Sequence, residues 1–142
     1  MDLQTILAEV RNESEQRKKT TSLKSLKHKV KDLPPTLGFE KHIREQPFSI
    51  IAEIKSKSPS MGPITNEKTV NEAHLIYQRS PIVSAISVLT QCTQFGGTEA
   101  RLRLVRRHTR KPILRKDFLS DEYEIYFSRY IGADAVLLMA NV

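Results

Sequence analysis

Four short apolar runs, each divided from the next by a segment of helical character, constrain this chain more than any other feature. The runs are Phe48-Ser49-Ile50-Ile51-Ala52-Glu53-Ile54, Ile82 to Leu89, Pro112-Ile113-Leu114-Arg115 and Ala135 to Met139. Each suits a strand buried in a parallel sheet. Helices are expected around Val70 to Arg79 and about Thr98 to His108, with Thr98 as an N-cap. A third starts from Ser120 or Asp121 and ends near Gly132, a glycine where a helix C′ residue belongs. The order β-α-β-α-β-α-β demands right-handed crossovers and a parallel sheet covered by helices. Such a sheet is either doubly wound and open or an arc of a (β/α)₈ barrel. In both, chemistry belongs at the carboxyl ends of the strands. That rule selects Lys55 to Gly62, Thr90 to Gly97, Lys116 to Phe118, and Ala140 onward.

Ahead of the alternation, residues 1–47 read as a helical N-terminal extension. Leu3, Ile6, Leu7 and Val10 recur at the spacing of one helix face. Leu23, Leu26, Val30 and Leu33 repeat the pattern until Pro34-Pro35 stops it. The N-terminus lacks the basic-then-apolar pattern of a signal peptide, and no apolar run approaches the ~18 residues of a membrane span. Cys92 is the single cysteine, which excludes an internal disulfide and a multi-cysteine zinc site. The cytoplasm is the expected compartment.

Net charge is +7, and eight of the basic side chains fall between Arg101 and Lys116 with no acidic residue among them. No aromatic residue interleaves with that block, so a stacking platform for single-stranded nucleic acid is missing. The block is therefore read as a solvated helix face plus one active-site group.

Glu53 and Lys55 are two apart on a strand and share a face with Ile51, while Ile50, Ala52 and Ile54 point toward the covering helices. A charged pair at the end of an apolar strand is costly unless it is paired or used. Lys116 ends the third strand in the equivalent place. Two ammoniums converging above a parallel sheet form a receptor for a dianionic substrate. Ser58-Pro59-Ser60-Met61-Gly62 adds hydroxyl and backbone donors, whereas Gly96-Gly97 lacks the G-x-G-x-x-G spacing of a dinucleotide site. His28, His42, His74 and His108 fall on helices or the arm and read as surface residues, so no metal site is expected.

These segments resemble a known family. Ile51-Ala52-Glu53-Ile54-Lys55 with Ser58-Pro59-Ser60-Met61-Gly62 is similar to the signature of indole-3-glycerol-phosphate synthase, a (β/α)₈ enzyme of tryptophan biosynthesis. Ile86-Ser87-Val88-Leu89-Thr90 with Phe95-Gly96-Gly97, Pro112 to Phe118 followed by Asp121-Glu122-Tyr123, and Gly132 to Leu138 resemble its next three units. The resemblance implies closure of an indole ring on 1-(2-carboxyphenylamino)-1-deoxyribulose 5-phosphate, with loss of carbon dioxide and water and no cofactor. It assigns Lys116 as the general acid, Lys55 to substrate anions and proton transfer, and Glu53 to the glutamate of the first strand. It also makes Ser58 and Pro59 substrate-loop residues and Phe95 and Phe118 apolar walls around the anthranilate ring.

The same resemblance makes residues 48–142 the first four units of a barrel of eight, preceded by the extension at 1–47. The family's strand-five glutamate, strand-six asparagine and the phosphate-binding groups of strands seven and eight have no counterpart here. Ser80-Pro81 replaces a turn of small residues, and Met61 stands where the family often has lysine. The leading expectation is a fragment of the synthase, inactive alone, whose partner is a complementing C-terminal half or its own copy through open strand edges. Two alternatives stay open: a half-barrel that dimerises with altered chemistry, and a basic nucleic-acid-binding module. Neither a nucleic acid nor a membrane is expected as the partner of the leading reading.

Overall fold

The computed structural model describes residues 3–64 and 66–140. Three helices come first: α1 (Leu3–Thr20), α2 (Leu23–Lys31) and α3 (Phe39–Arg44). Strand β1 (Ile50–Ile54) follows, then a hairpin of β2 (Lys57–Ser58) and β3 (Gly62–Pro63). The remaining elements are α4 (Glu67–Arg79), β4 (Val83–Leu89), α5 (Cys92–Phe95), α6 (Glu99–His108), β5 (Ile113–Lys116), α7 (Glu122–Ile131) and β6 (Ala135–Val136). The main sheet runs β1-β4-β5-β6, parallel throughout. This is an α/β fold with four parallel strands in sequence order, consistent with part of a (β/α)₈ barrel.

Local chemistry explains the helix starts. Ser22, Asn66, Thr98 and Asp121 each accept a hydrogen bond from the backbone N–H three residues on, which satisfies one of the free donors of a helix start. Gly132 ends α7 at φ 106°, a conformation that L side chains resist.

The boundaries shift where pairing partners decide them. The first strand begins at Ile50, two residues later than its apolar run suggests, and Phe48 stands 70% exposed. The last strand is paired over Ala135–Val136 alone; one more ladder bond, from Leu137 N–H to the Arg115 carbonyl at 3.2 Å, extends it before Leu138 turns to solvent. Asn141 and Val142, part of the fourth strand-end, lie outside the described residues. Sequence reading leaves out α3, the β2–β3 hairpin and α5, which are too short for periodicity to register.

The two faces of the sheet meet different surroundings. Ala52, Ile54, Ile86, Val88 and Ile113 join Val70, Leu102, Val105, Tyr123, Phe127 and Ile131 in the core between sheet and helices, and Leu26 of α2 inserts there as well. On the opposite face Ile51 is 43% exposed. Register sets Glu53, Ser87, Leu114 and Ala135 in one row across that face. Helix α1 lies over the upper ends of α6 and α7, where Arg17 bonds Glu99 and Glu124 and Lys18 bonds Asp121. No helix among the described residues is long and apolar enough to cross a membrane.

A β-carbon on Gly97 would sit 2.5 Å from the Leu89 carbonyl oxygen and 2.8 Å from the Thr90 carbonyl carbon. Both are backbone atoms and cannot swing aside. Gly97→Ala is therefore expected to cost about 1–3 kcal/mol of stability, the usual range for overpacking. Urea unfolding followed by circular dichroism measures the loss.

Candidate active site

Alternation along β1 puts Glu53 on the open face of the sheet, and alternation along β5 puts Lys116 there too. They belong to strands separated by β4, about 10 Å apart at ordinary strand spacing. In register Ser87 lies beside Glu53 and Leu89 beside Lys116, so the two long side chains reach across β4 on a diagonal, past the small side chain of Ser87. Lys116 Nζ donates to Glu53 Oε2 at 2.7 Å, and Lys55 Nζ lies 2.9 Å from Glu53 Oε1. One carboxylate thus anchors both strand-end ammoniums. Burial pushes the Glu53 carboxyl up, but hydrogen bonds and charge from Lys116 and Lys55 outweigh it and hold the group below the usual carboxylate range. Ser87 Oγ, in register with Glu53, is buried and has no hydrogen-bond partner among the described residues.

The loops supply walls. Phe95 ends α5 and Phe118 follows β5, and their ring centroids stand 6.3 Å apart. Ser56 Oγ donates to the Gly96 carbonyl at 2.9 Å, which ties the loop after β1 to the loop after β4. Ser58 is buried, and its Oγ accepts the Met61 N–H at 3.2 Å inside its own hairpin. Pro59 is exposed at that hairpin's turn. The structure thus brings Glu53, Lys55 and Lys116 together and sets Phe95 beside Phe118, while Ser58 serves the turn.

The basic block departs from the expected solvated face. Arg101 is buried and bonds Gly96 O, Asn71 and Glu67. Arg106 bonds Asp134, and Lys111 reaches the carbonyls of Ser80 and Val83. Arg115 is 1% exposed: it donates to Thr90 Oγ1 (2.9 Å), Glu124 Oε2 (2.9 Å), Ser128 Oγ (3.0 Å) and Asp117 Oδ2 (3.0 Å). Arg103 lies over the Tyr130 ring at 4.8 Å. Within the described residues of this block, only Arg107 and Arg110 keep guanidinium groups free of hydrogen bonds or rings. Most of the excess charge is spent inside the fold.

His74 is a second correction, because it is buried against His108 with ring centroids 5.2 Å apart. Its place with Val70 on the buried face of α4 overrides the usual surface preference of histidine. Among the described residues no three His, Cys, Asp or Glu side chains gather closely enough to hold a metal ion.

Comparison with known proteins decides the family. The indole-3-glycerol phosphate synthase family model matches residues 3–142. This chain belongs to the indole-3-glycerol phosphate synthase family. An indole-3-glycerol phosphate synthase of Thermoanaerobacter sp. (strain X514) is 39% identical over 142 residues, all of this chain and 54% of that protein. The Clostridium acetobutylicum synthase is 41% identical over 126 residues, 88% of this chain and 48% of its own length. That of Prochlorococcus marinus is 44% identical over 127 residues, 88% of this chain and 43% of its own. The chain spans about half the length of the curated relatives it matches.

Two carboxylates of this synthase-family chain sit below their ordinary values, and both link stability to pH. Glu124 is fully buried: burial pushes it up, and Arg115 and Arg17 more than reverse that. Glu53 behaves alike through its lysines. A carboxyl lowered by folding contributes stability that is complete above the unfolded value of about 4.3 and is lost as pH falls through the lower folded value. Glu13, raised by burial, acts in the opposite sense. Since Glu124 is the most deeply buried of the three, the expected result is a Tm that is flat near neutrality and falls steeply below about pH 4. In Glu124→Gln the acid fall is expected to be shallower, and calorimetry across pH 3 to 7 checks it (range chosen about the carboxylate values).

Proposed function

We propose that this chain supplies the first four strands and two proton-handling lysines of a cytoplasmic indole-3-glycerol-phosphate synthase. The observation that carries the reading is the Glu53 carboxylate bridging Lys55 and Lys116 at the carboxyl ends of β1 and β5, in a chain of this family. In this reading the substrate is 1-(2-carboxyphenylamino)-1-deoxyribulose 5-phosphate. Lys116 Nζ–H protonates the ketone oxygen as the ring carbon bearing the carboxylate attacks the carbonyl carbon. Carbon dioxide leaves from that ring carbon, water leaves from the former ketone carbon, and the indole closes. Lys55 meets substrate anionic charge, and Glu53 holds both ammoniums in place until substrate arrives. Phe95 and Phe118 pack against the anthranilate ring and exclude water. Ser58 and Pro59 line the loop that faces the substrate.

The phosphate and the general base are assigned to the part of the relatives beyond this chain's span. The partner is accordingly a polypeptide carrying the remaining strands, docked on the open face of the sheet and on the outer strands β1 and β6. The internal use of Arg101, Arg106, Lys111 and Arg115 weighs against a nucleic-acid module.

The test mixes the purified chain with a polypeptide covering the second half of the Thermoanaerobacter synthase and follows indole-glycerol phosphate by fluorescence. No turnover is expected from either part alone, and turnover is expected from the mixture. Product from this chain alone would overturn the division of labour, and a stable complex without product would overturn the activity.

A further inference from the structure

Lys116 stands between two residues that point the other way. Arg115 and Asp117 turn to the helix side of the sheet, where each is at least nine-tenths buried. Thr90, at the end of β4, donates its hydroxyl to Asp117 Oδ2 at 2.5 Å and accepts from Arg115 Nε at 2.9 Å. Asp117 Oδ1 accepts the Phe118 N–H at 2.9 Å. Glu124 and Ser128 close the cluster from α7, and Arg17 of α1 holds the other Glu124 oxygen at 2.6 Å.

These bonds fix more than a core. The backbone on either side of Lys116 is pinned to a neighbouring strand end and to a helix, so the residue between has one direction left, toward Glu53. The same aspartate sets the backbone N–H of Phe118, whose ring faces Phe95. Strand alternation alone would orient Lys116, but β5 ends at Lys116, where ladder pairing stops restraining the chain. The side-chain bonds of Asp117 begin at that point.

We propose that Arg115, Asp117 and Thr90 form a positioning network that holds the Lys116 ammonium on Glu53 and the Phe118 ring against Phe95. The inference rests on the reading of Lys116 as a proton donor, yet its test needs no turnover. Asp117→Asn keeps the size of the side chain and removes the charge that Arg115 and Thr90 share; Thr90→Val removes the bridging hydroxyl, and Thr90→Ser restores it.

Acylation of lysine amines by a small ester in the 142-residue chain, read by mass spectrometry, gives the rate at Lys116 relative to Lys27 in the same molecule. Lys27 sits on α2, paired with Glu122, and bonds none of Thr90, Arg115 and Asp117. Loss of positioning is expected to raise that ratio about two- to fivefold in Asp117→Asn and Thr90→Val, the factor carried by one partly exposed ion pair. Thr90→Ser is expected to return it to the starting value. Val105→Ala, which destabilises the same core without touching the network, is expected to leave the ratio unchanged. An unchanged ratio in folded Asp117→Asn or Thr90→Val overturns the proposal, as does an equal rise in Val105→Ala. Should Asp117→Asn not fold, the Thr90 pair decides. Loss of positioning in a complemented enzyme that makes no product would leave this inference standing while the proposed function fell.

Discussion

Arg115→Met is expected to remove about 3–5 kcal/mol of stability, a large part of what a domain of this kind possesses. The size follows from what stays behind. Glu124 is 0% exposed and Asp117 is 8% exposed, and both lose the guanidinium that compensates them. Arg17 still reaches Glu124, so one of the two carboxylates keeps a cation; among the described residues Asp117 keeps only Thr90 and a backbone N–H. Arg101→Met makes the useful contrast. Arg101 is nearly as buried, but its carboxylate partner Glu67 is 68% exposed and simply returns to water. That variant is expected to lose about 1–2 kcal/mol, the cost of its hydrogen bonds and packing. Urea unfolding of both variants measures the difference. Equal losses would show that orphaned charge is not what makes Arg115 expensive.

The same residue marks the limit of reading this sequence. The alternation of apolar strands and amphipathic helices is a periodic signal, and it yields the parallel sheet, the cap at Thr98 and, as one of two candidates, the cap at Asp121. The strand order it leaves open between a doubly wound sheet and a barrel arc, and the family resemblance supplies it. Lys55, Lys116 and Glu53 are legible because a charge at a strand end breaks an apolar pattern. Arg115 breaks the pattern equally, yet it sits among Arg110, Lys111 and Lys116, where a composition argument absorbs it into a basic surface. The signal that separates it from that surface is alternation itself. Arg115 shares its face with Ile113, so it had to meet the helices, and Glu124 and Ser128 are one turn apart on α7 to receive it. The contact from Arg17 spans 107 positions of sequence, and no local pattern encodes it. Ser87 and Thr90 lie in a strand and a strand end that the sequence marks, yet their partners are not legible there: a small hydroxyl residue in a strand carries no pattern until its neighbours are known.

Lys116→Met, measured in the complemented enzyme, is expected to lower kcat about 10²- to 10⁴-fold, the range supplied by one positioned proton donor. KM is expected to move far less, since Lys55 stays to meet the substrate's charge. Glu53→Gln separates the donor from its support. It removes the shared anchor of both ammoniums without removing either, so its loss in kcat is expected to be smaller than that of Lys116→Met. Free chain reports the same logic without turnover. With Lys116 gone, burial still pushes the Glu53 carboxyl up while one of the two cations that hold it down is absent. Its titration is therefore expected to move upward, toward the ordinary carboxylate range, in a carbon-detected NMR experiment on Lys116→Met. A Glu53 titration that stays where it is would mean that Lys55 alone sets that charge, and Lys116 would then lose its claim to be coupled to the first strand at all.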